Sequence, residues 1–232
     1  MSEITLVAPG GIRTAIQTLI PAFEKATGHK VTPTFGSGGA AKSRTIDGEM
    51  FDVPVVQPPL DTVIASGKVI PSTETPIATV SVVVGIPAGT PKPDFASAEG
   101  IKRFLLGAKS IAYPAAARGA ACGVSFEATM AKLGIADAMA PKVKNSQSGW
   151  EAITMLARGE VDIGVTFASE MDADPRVEML GAMPLDLSTP TGFVAFVNAQ
   201  SKEPDAAQAL IKFLSSPEAA KVFTDCGMKP GK

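Results

Sequence analysis

Twice in its opening stretch the chain runs a short apolar strand straight into a glycine turn that starts a helix. Glu3-Ile4-Thr5-Leu6-Val7-Ala8 leads into Pro9-Gly10-Gly11 and then Ile12-Arg13-Thr14-Ala15-Ile16; the strand ending at Phe35 leads into Gly36-Ser37-Gly38-Gly39-Ala40. Strand, turn and helix in that order build parallel α/β structure, because parallel neighbours need a crossover connection and a helix supplies it. Each turn also leaves backbone N–H groups at a helix N-terminus, where the helix dipole favours negative charge. The pattern therefore points to a site for a small anion.

The same rhythm continues along the chain. Ile12, Ala15, Ile16, Leu19, Ile20 and Phe23 share one face of a helix predicted over 12–27, with a kink expected at Pro21 and a stop at Gly28. Strands are predicted at 31–35, 52–56, 80–86, 110–113, from 143, at 161–167 and at 193–197. Helices are predicted from Asp61 to near Gly67 and at 97–106, 124–133, 150–157, 204–214 and 217–225. The fold class is α/β, with two lobes that are each a mostly parallel sheet flanked by helices. Crossings are placed near Pro76–Val80 and Ser188–Gly192, so residues 1–79 and 191–232 form one lobe and 80–190 the other. No internal repeat or low-complexity segment interrupts this plan.

Composition narrows the function. With 232 residues there is chain for two lobes of about 100–120 residues, each able to bury a core. A net charge of −2 gives no footprint for nucleic acid or an anionic membrane, and no apolar run is long enough for membrane insertion. Trp150 and Tyr113 are the sole residues of their kinds, too few for sugar platforms or base stacking. Cys122 and Cys226 lack metal spacing, and the single His29 lies between the first helix and the second strand, opposite the ligand end of such a sheet. A histidine triad and a multi-histidine metal site are thereby set aside, and neither cofactor nor metal is expected. Met1-Ser2-Glu3 has two readings: a cytoplasmic chain if Met1 is the natural start, a periplasmic one if a signal peptide has been removed.

The pattern resembles the type II periplasmic binding proteins, in the branch that includes molybdate-binding proteins. The resemblance covers nearly the whole chain. It is carried by Phe35-Gly36-Ser37-Gly38-Gly39-Ala40, Ala65-Ser66-Gly67-Lys68-Val69, Ala157-Arg158-Gly159-Glu160-Val161-Asp162-Ile163-Gly164 and the stretch from Ala206 to Ala219. It implies a ligand cleft between the lobes that closes over its solute. By position, Gly10, Gly11, Ser37 and Gly38 would bind from the first lobe. Arg118, Gly119 and Ala120 in the loop 117–123, Ser146 and Ser148 in the segment 146–149, and Thr166 with Phe167 would bind from the second.

Three departures from the molybdate pattern follow. Gly11 stands where those proteins place a hydroxyl, Phe167 stands where they usually carry a tyrosine, and Arg118 adds a cation. An arginine suits a carboxylate through a bidentate, charge-assisted pair. The glycine loops, with Ala41-Lys42-Ser43 after the second, are closer to the aconitate-isomerase-like branch. The ligand expected is a small anion, a di- or tricarboxylate, bound by a monomer that would feed an ABC transporter permease if secreted. The alternative is an isomerase that shifts a proton along an unsaturated carboxylic acid. Its acid–base candidates are Glu170, Asp172, Tyr113, Cys122 and, if desolvated, Lys42. Each also has a plainer reading: Ser37 as a helix cap, Cys122 as a small buried residue, Glu170 as a helix-start carboxylate, Arg13, Lys42 and Arg44 as solvated helix charges.

Overall fold

A computed structural model describes residues 1–171 and 174–231. In chain order the strands and α-helices are β1 (Glu3–Pro9), α1 (Arg13–Thr27), β2 (Lys30–Gly36), α2 (Gly38–Ile46), β3 (Val53–Val56), α3 (Asp61–Ala65), β4 (Thr75–Val80) and β5 (Val82–Pro87). They continue with α4 (Ala98–Gly107), β6 (Ile111–Pro114), α5 (Ala121–Lys132), α6 (Ala136–Met139), β7 (Val143–Ser146), α7 (Gly149–Ala157), β8 (Ile163–Phe167) and β9 (Val177–Ala182). The last are β10 (Thr191–Ala195), α8 (Pro204–Leu214), α9 (Pro217–Asp225) and β11 (Lys229–Pro230). Local chemistry sets many of these limits. Ser37, Ser97, Ser148 and Ser216 each accept a backbone N–H three residues on and so cap α2, α4, α7 and α9. α1 starts after a 3-10 turn at Gly10–Ile12, runs through Pro21 without ending, and stops where Gly28 adopts φ 75°.

The chain divides into two compact units, one of Met1–Val80 with Thr191–Lys232 and one of Ser81–Pro190. The first holds a six-stranded sheet in the order β11-β4-β10-β3-β1-β2, the second a five-stranded sheet in the order β7-β6-β8-β5-β9. Neither is mostly parallel, contrary to expectation. β1 pairs in parallel with β2 and β3, and β6 with β7 and β8, but every other pairing is antiparallel. The antiparallel share comes from β4, β5 and β10, which carry the chain out of one sheet or into the other, and from two edge strands, β9 and β11. Both edges are too short or too weakly alternating to stand out in the sequence. The apolar run around Val80–Ile86 is likewise not one strand: β4 closes in the first sheet at Val80 and β5 opens in the second at Val82, with Ser81 between.

Each unit buries its own core. In the first, Val56, Val63, Val69, Val194 and Phe196 pack together; in the second, Ala112, Ala152, Leu156 and Val161 do. Where β1 and β3 begin, Asp52 gathers hydrogen bonds from the Thr5 backbone and hydroxyl (both 2.8 Å) and from Ser201 (2.6 Å), which ties the returning chain to the first strands. Within each sheet the parallel trio places a central strand between two neighbours reached by crossovers on opposite sides. The carboxyl ends of such strands are where α/β sheets bind ligands. Among the described residues, no helix is long and apolar enough to cross a membrane.

Candidate ligand-binding site

In the first unit, β1 and β2 run side by side to the register pair Pro9↔Gly36, so the two glycine turns emerge next to each other. Gly10 and Gly11 form the 3-10 turn ahead of α1; Ser37 caps α2, and Gly38 is its first residue. Ser37 Oγ accepts the Ala40 N–H at 3.1 Å, which leaves the hydroxyl proton available for a ligand. The guanidinium of Arg13 lies 5.0 Å from the centre of the Phe35 ring, a cation–π contact that holds this cation beside the second glycine turn. Lys42 Nζ donates to the Pro59 carbonyl at 2.8 Å, and partial burial lowers its pKa. It therefore anchors the loop after β3, whereas Arg44 pairs with Glu49.

In the second unit, β6 and β7 end together at the pair Pro114↔Ser146, and the Ala115 N–H donates to the Ser146 carbonyl at 3.1 Å. A 3-10 turn, Ala116–Arg118, follows β6, and Gly119 and Ala120 lead into α5. Ser146 donates its hydroxyl to the Ser148 carbonyl at 2.9 Å, and Thr166 donates its own to Glu170 Oε2 at 2.9 Å. Ser148 instead accepts the Glu151 N–H at 3.2 Å as it caps α7. The hydroxyls thus sort by role. Ser146 and Thr166 have given up their protons to brace the loops, while Ser37 and Ser148 still have one to offer.

Glu170 is buried at 7% exposure and sits against the start of α7: a Cβ on Gly149 would collide with Thr166 Oγ1 and Glu170 Oε2. The Cys122 thiol, in the first turn of α5, is pushed well up by burial and then by the Glu170 charge, so it is a neutral thiol and a poor nucleophile. Phe167 is buried beside them and pairs with Val82. Arg118 is exposed and, among the described residues, has neither an ion pair nor a side-chain hydrogen bond.

Tyr113 lies apart from this group. Its ring packs edge-on against Phe126 and its hydroxyl donates to Glu127 at 3.3 Å, while burial and then Glu127 raise its pKa. The phenol faces α5 and stays protonated. His29 accepts the Ser2 N–H at 3.2 Å where β1 begins, far along the strand from the glycine turn. Asp172 lies outside the described residues. Among the described residues, no cluster of histidine, cysteine or carboxylate side chains could hold a metal ion.

Each unit therefore collects its own share of the predicted residues at strand carboxyl ends. Gly10, Gly11, Ser37 and Gly38 meet in one; Arg118, Gly119, Ala120, Ser146, Ser148, Thr166, Phe167, Cys122 and Glu170 surround the ends of β6, β7 and β8 in the other. The sequence reading missed Gln57, a buried polar residue directly after β3. In the sequence a single amide closes the apolar run Val53-Pro54-Val55-Val56, which marks a strand end but not the depth of the side chain.

A family model described as bacterial extracellular solute-binding protein matches residues 4–229, and the chain belongs to that family. Aconitate isomerase from Pseudomonas sp. is 30% identical over 99% of this chain and 88% of its own length. The molybdate-binding protein ModA of Azotobacter vinelandii is 25% identical over 97% of this chain and 89% of its own. The solved periplasmic molybdate-binding protein of Azotobacter vinelandii superposes with a TM-score of 0.80 at 19% identity, covering 97% of this chain and 98% of that one. The fold is that of a type II periplasmic binding protein, and solute binding is the function class it carries.

Proposed function

We propose that the solute is a small di- or tricarboxylate, held by backbone N–H groups of the glycine turns, by the Ser37 and Ser148 hydroxyls and by Arg118. The observation that carries this reading is Arg118, an exposed guanidinium with no partner among the described residues, on a loop beside hydroxyl and N–H donors. A guanidinium matches a planar carboxylate with two parallel, charge-assisted hydrogen bonds. The aconitate isomerase relative supports a carboxylic acid; the molybdate-binding relatives support an anion of some kind. If the protein works outside the membrane, its partner is the permease of an ABC transporter.

A second reading has its own support. Glu170 is a buried carboxylate at the strand ends, and a site built purely to attract anions gains nothing from it. As a base it would take an allylic proton from one carbon of an unsaturated acid and return a proton to another, moving the double bond with no cofactor and no net redox change.

Calorimetric titration with molybdate, citrate and cis- and trans-aconitate tests the binding reading. One of the acids should bind, and Arg118→Ala should weaken it by about tenfold or more, since a hydrogen bond to a charged group contributes about 1.5–3 kcal/mol. Tight molybdate binding indifferent to that substitution would sink it. NMR of the same acids in deuterated buffer decides the second reading: deuterium entering the acid, and lost with Glu170→Gln, establishes isomerase chemistry.

A further inference from the structure

Gln57 is set into the first unit in an unusual way. It directly follows β3, whose four residues are all buried, and precedes two exposed prolines, yet it is itself only 4% exposed. Other buried polar side chains have found partners: Thr45, Thr129, Ser146, Thr166, Ser188 and Asn198 all take part in hydrogen bonds. The Gln57 amide has none among the described residues. An unpaired amide sealed from water is costly, and among the described residues no fully buried side-chain nitrogen or oxygen lacks a partner. The small exposed part of Gln57 is therefore its amide. The stem is sunk in the sheet, and the amide keeps only a narrow edge to solvent.

Its position gives that head a purpose. β1 and β3 pair in parallel with Val7 opposite Pro54, so the Gly10–Gly11 turn after Pro9 and Gln57 after Val56 both leave the sheet at the same end. The amide thus belongs to the same strand ends as the Gly10–Gly11 turn. From the far side, Lys42 Nζ holds the Pro59 carbonyl at 2.8 Å and fixes the loop that leaves Gln57. A side chain with a buried stem has few rotamers left to lose on binding, so its contribution is preorganised.

We propose that Gln57 is a ligand-recognition residue, whose amide hydrogen-bonds a polar oxygen of the solute and reads the carboxylate's shape without adding charge. This rests on the carboxylate-binding reading above. The test titrates wild type, Gln57→Met, Gln57→Glu and Arg118→Ala with citrate and the two aconitate isomers, and melts each without ligand. Gln57→Met keeps the stem and loses the amide, so the free protein should melt at or above wild type while affinity falls about tenfold to a hundredfold. Gln57→Glu sets a like charge against the acid and should lose at least as much. If wild type binds an acid and both Gln57 variants match it within twofold, the assignment of Gln57 is overturned and the carboxylate reading stands. If wild type binds none of the acids, the carboxylate reading fails and takes this assignment with it.

Discussion

The contact between Gly149 and the Thr166–Glu170 pair makes a sharp test of the second unit. Gly149 is the first residue of α7, and a methyl group there would occupy the space of Thr166 Oγ1 and Glu170 Oε2. Gly149→Ala must either push α7 off the sheet or part the hydroxyl from the carboxylate. Overpacking of this kind costs about 1–3 kcal/mol, and a lost hydrogen bond to a buried charged group about 1.5–3 kcal/mol. Only one of the two need occur, so a net loss of about 1–3 kcal/mol is expected. Gly107→Ala is the matched control: it ends α4 in the same unit, has nothing within 4 Å of the added carbon and does not sit at positive φ. That substitution should stabilise by about 0.4–1 kcal/mol through the unfolded chain. Urea unfolding followed by fluorescence of Trp150, itself in α7, reads both variants in the unit concerned. A Gly149→Ala protein within about 0.5 kcal/mol of wild type, the usual scatter of harmless substitutions, would refute the packing argument.

Three further outcomes follow from the titrating groups. Burial works to raise the Asp52 pKa, but hydrogen bonds from Ser201 and Thr5 outweigh it and hold the group below its ordinary 3.8. Its contribution is therefore present above that value and lost as pH falls through the lower folded one, so Asp52→Asn should flatten the acid limb of a stability–pH curve. Tyr113 is raised, so as the sole tyrosine it should show no tyrosinate absorbance near its ordinary 10.0 until the chain unfolds, and its stabilisation fades as pH climbs beyond that value. A thiol-specific disulfide reagent should modify half-buried Cys226 in the native protein and spare buried Cys122; equal rates at both would contradict the burial of α5.

The strand carboxyl ends were legible because their signals are local. A glycine turn, a serine cap and the apolar run before it lie within a few residues, as at Phe35–Ala40 and Ser146–Gly149. What depended on distant partners was not legible. Val80 and Val82 belong to different sheets, yet nothing in the apolar run around them marks the switch at Ser81. Tyr113 looked close enough to the β6 loop to serve it, but the pleat of β6 turns its ring toward Phe126 on α5. The residues at the strand ends could be named, but not which of Ser37, Ser146, Ser148 and Thr166 keeps a proton to give, because that is set by loop geometry. Gln57 was passed over since one amide after four apolar residues reads as a strand end, and its depth emerges only when β1 and β10 close on either side of β3.

The placement of β4 bears on how the protein is made. Both of its neighbours in the sheet, β10 and β11, come from the last part of the chain, whereas every strand of the second sheet lies within residues 81–190. During synthesis from the N-terminus, the unit encoded in the middle is the first to have all its partners. The unit encoded first must wait, with β4 unpaired, until β10 and β11 have left the ribosome. The last strand to emerge, two residues long, is thus the one that covers an otherwise open edge.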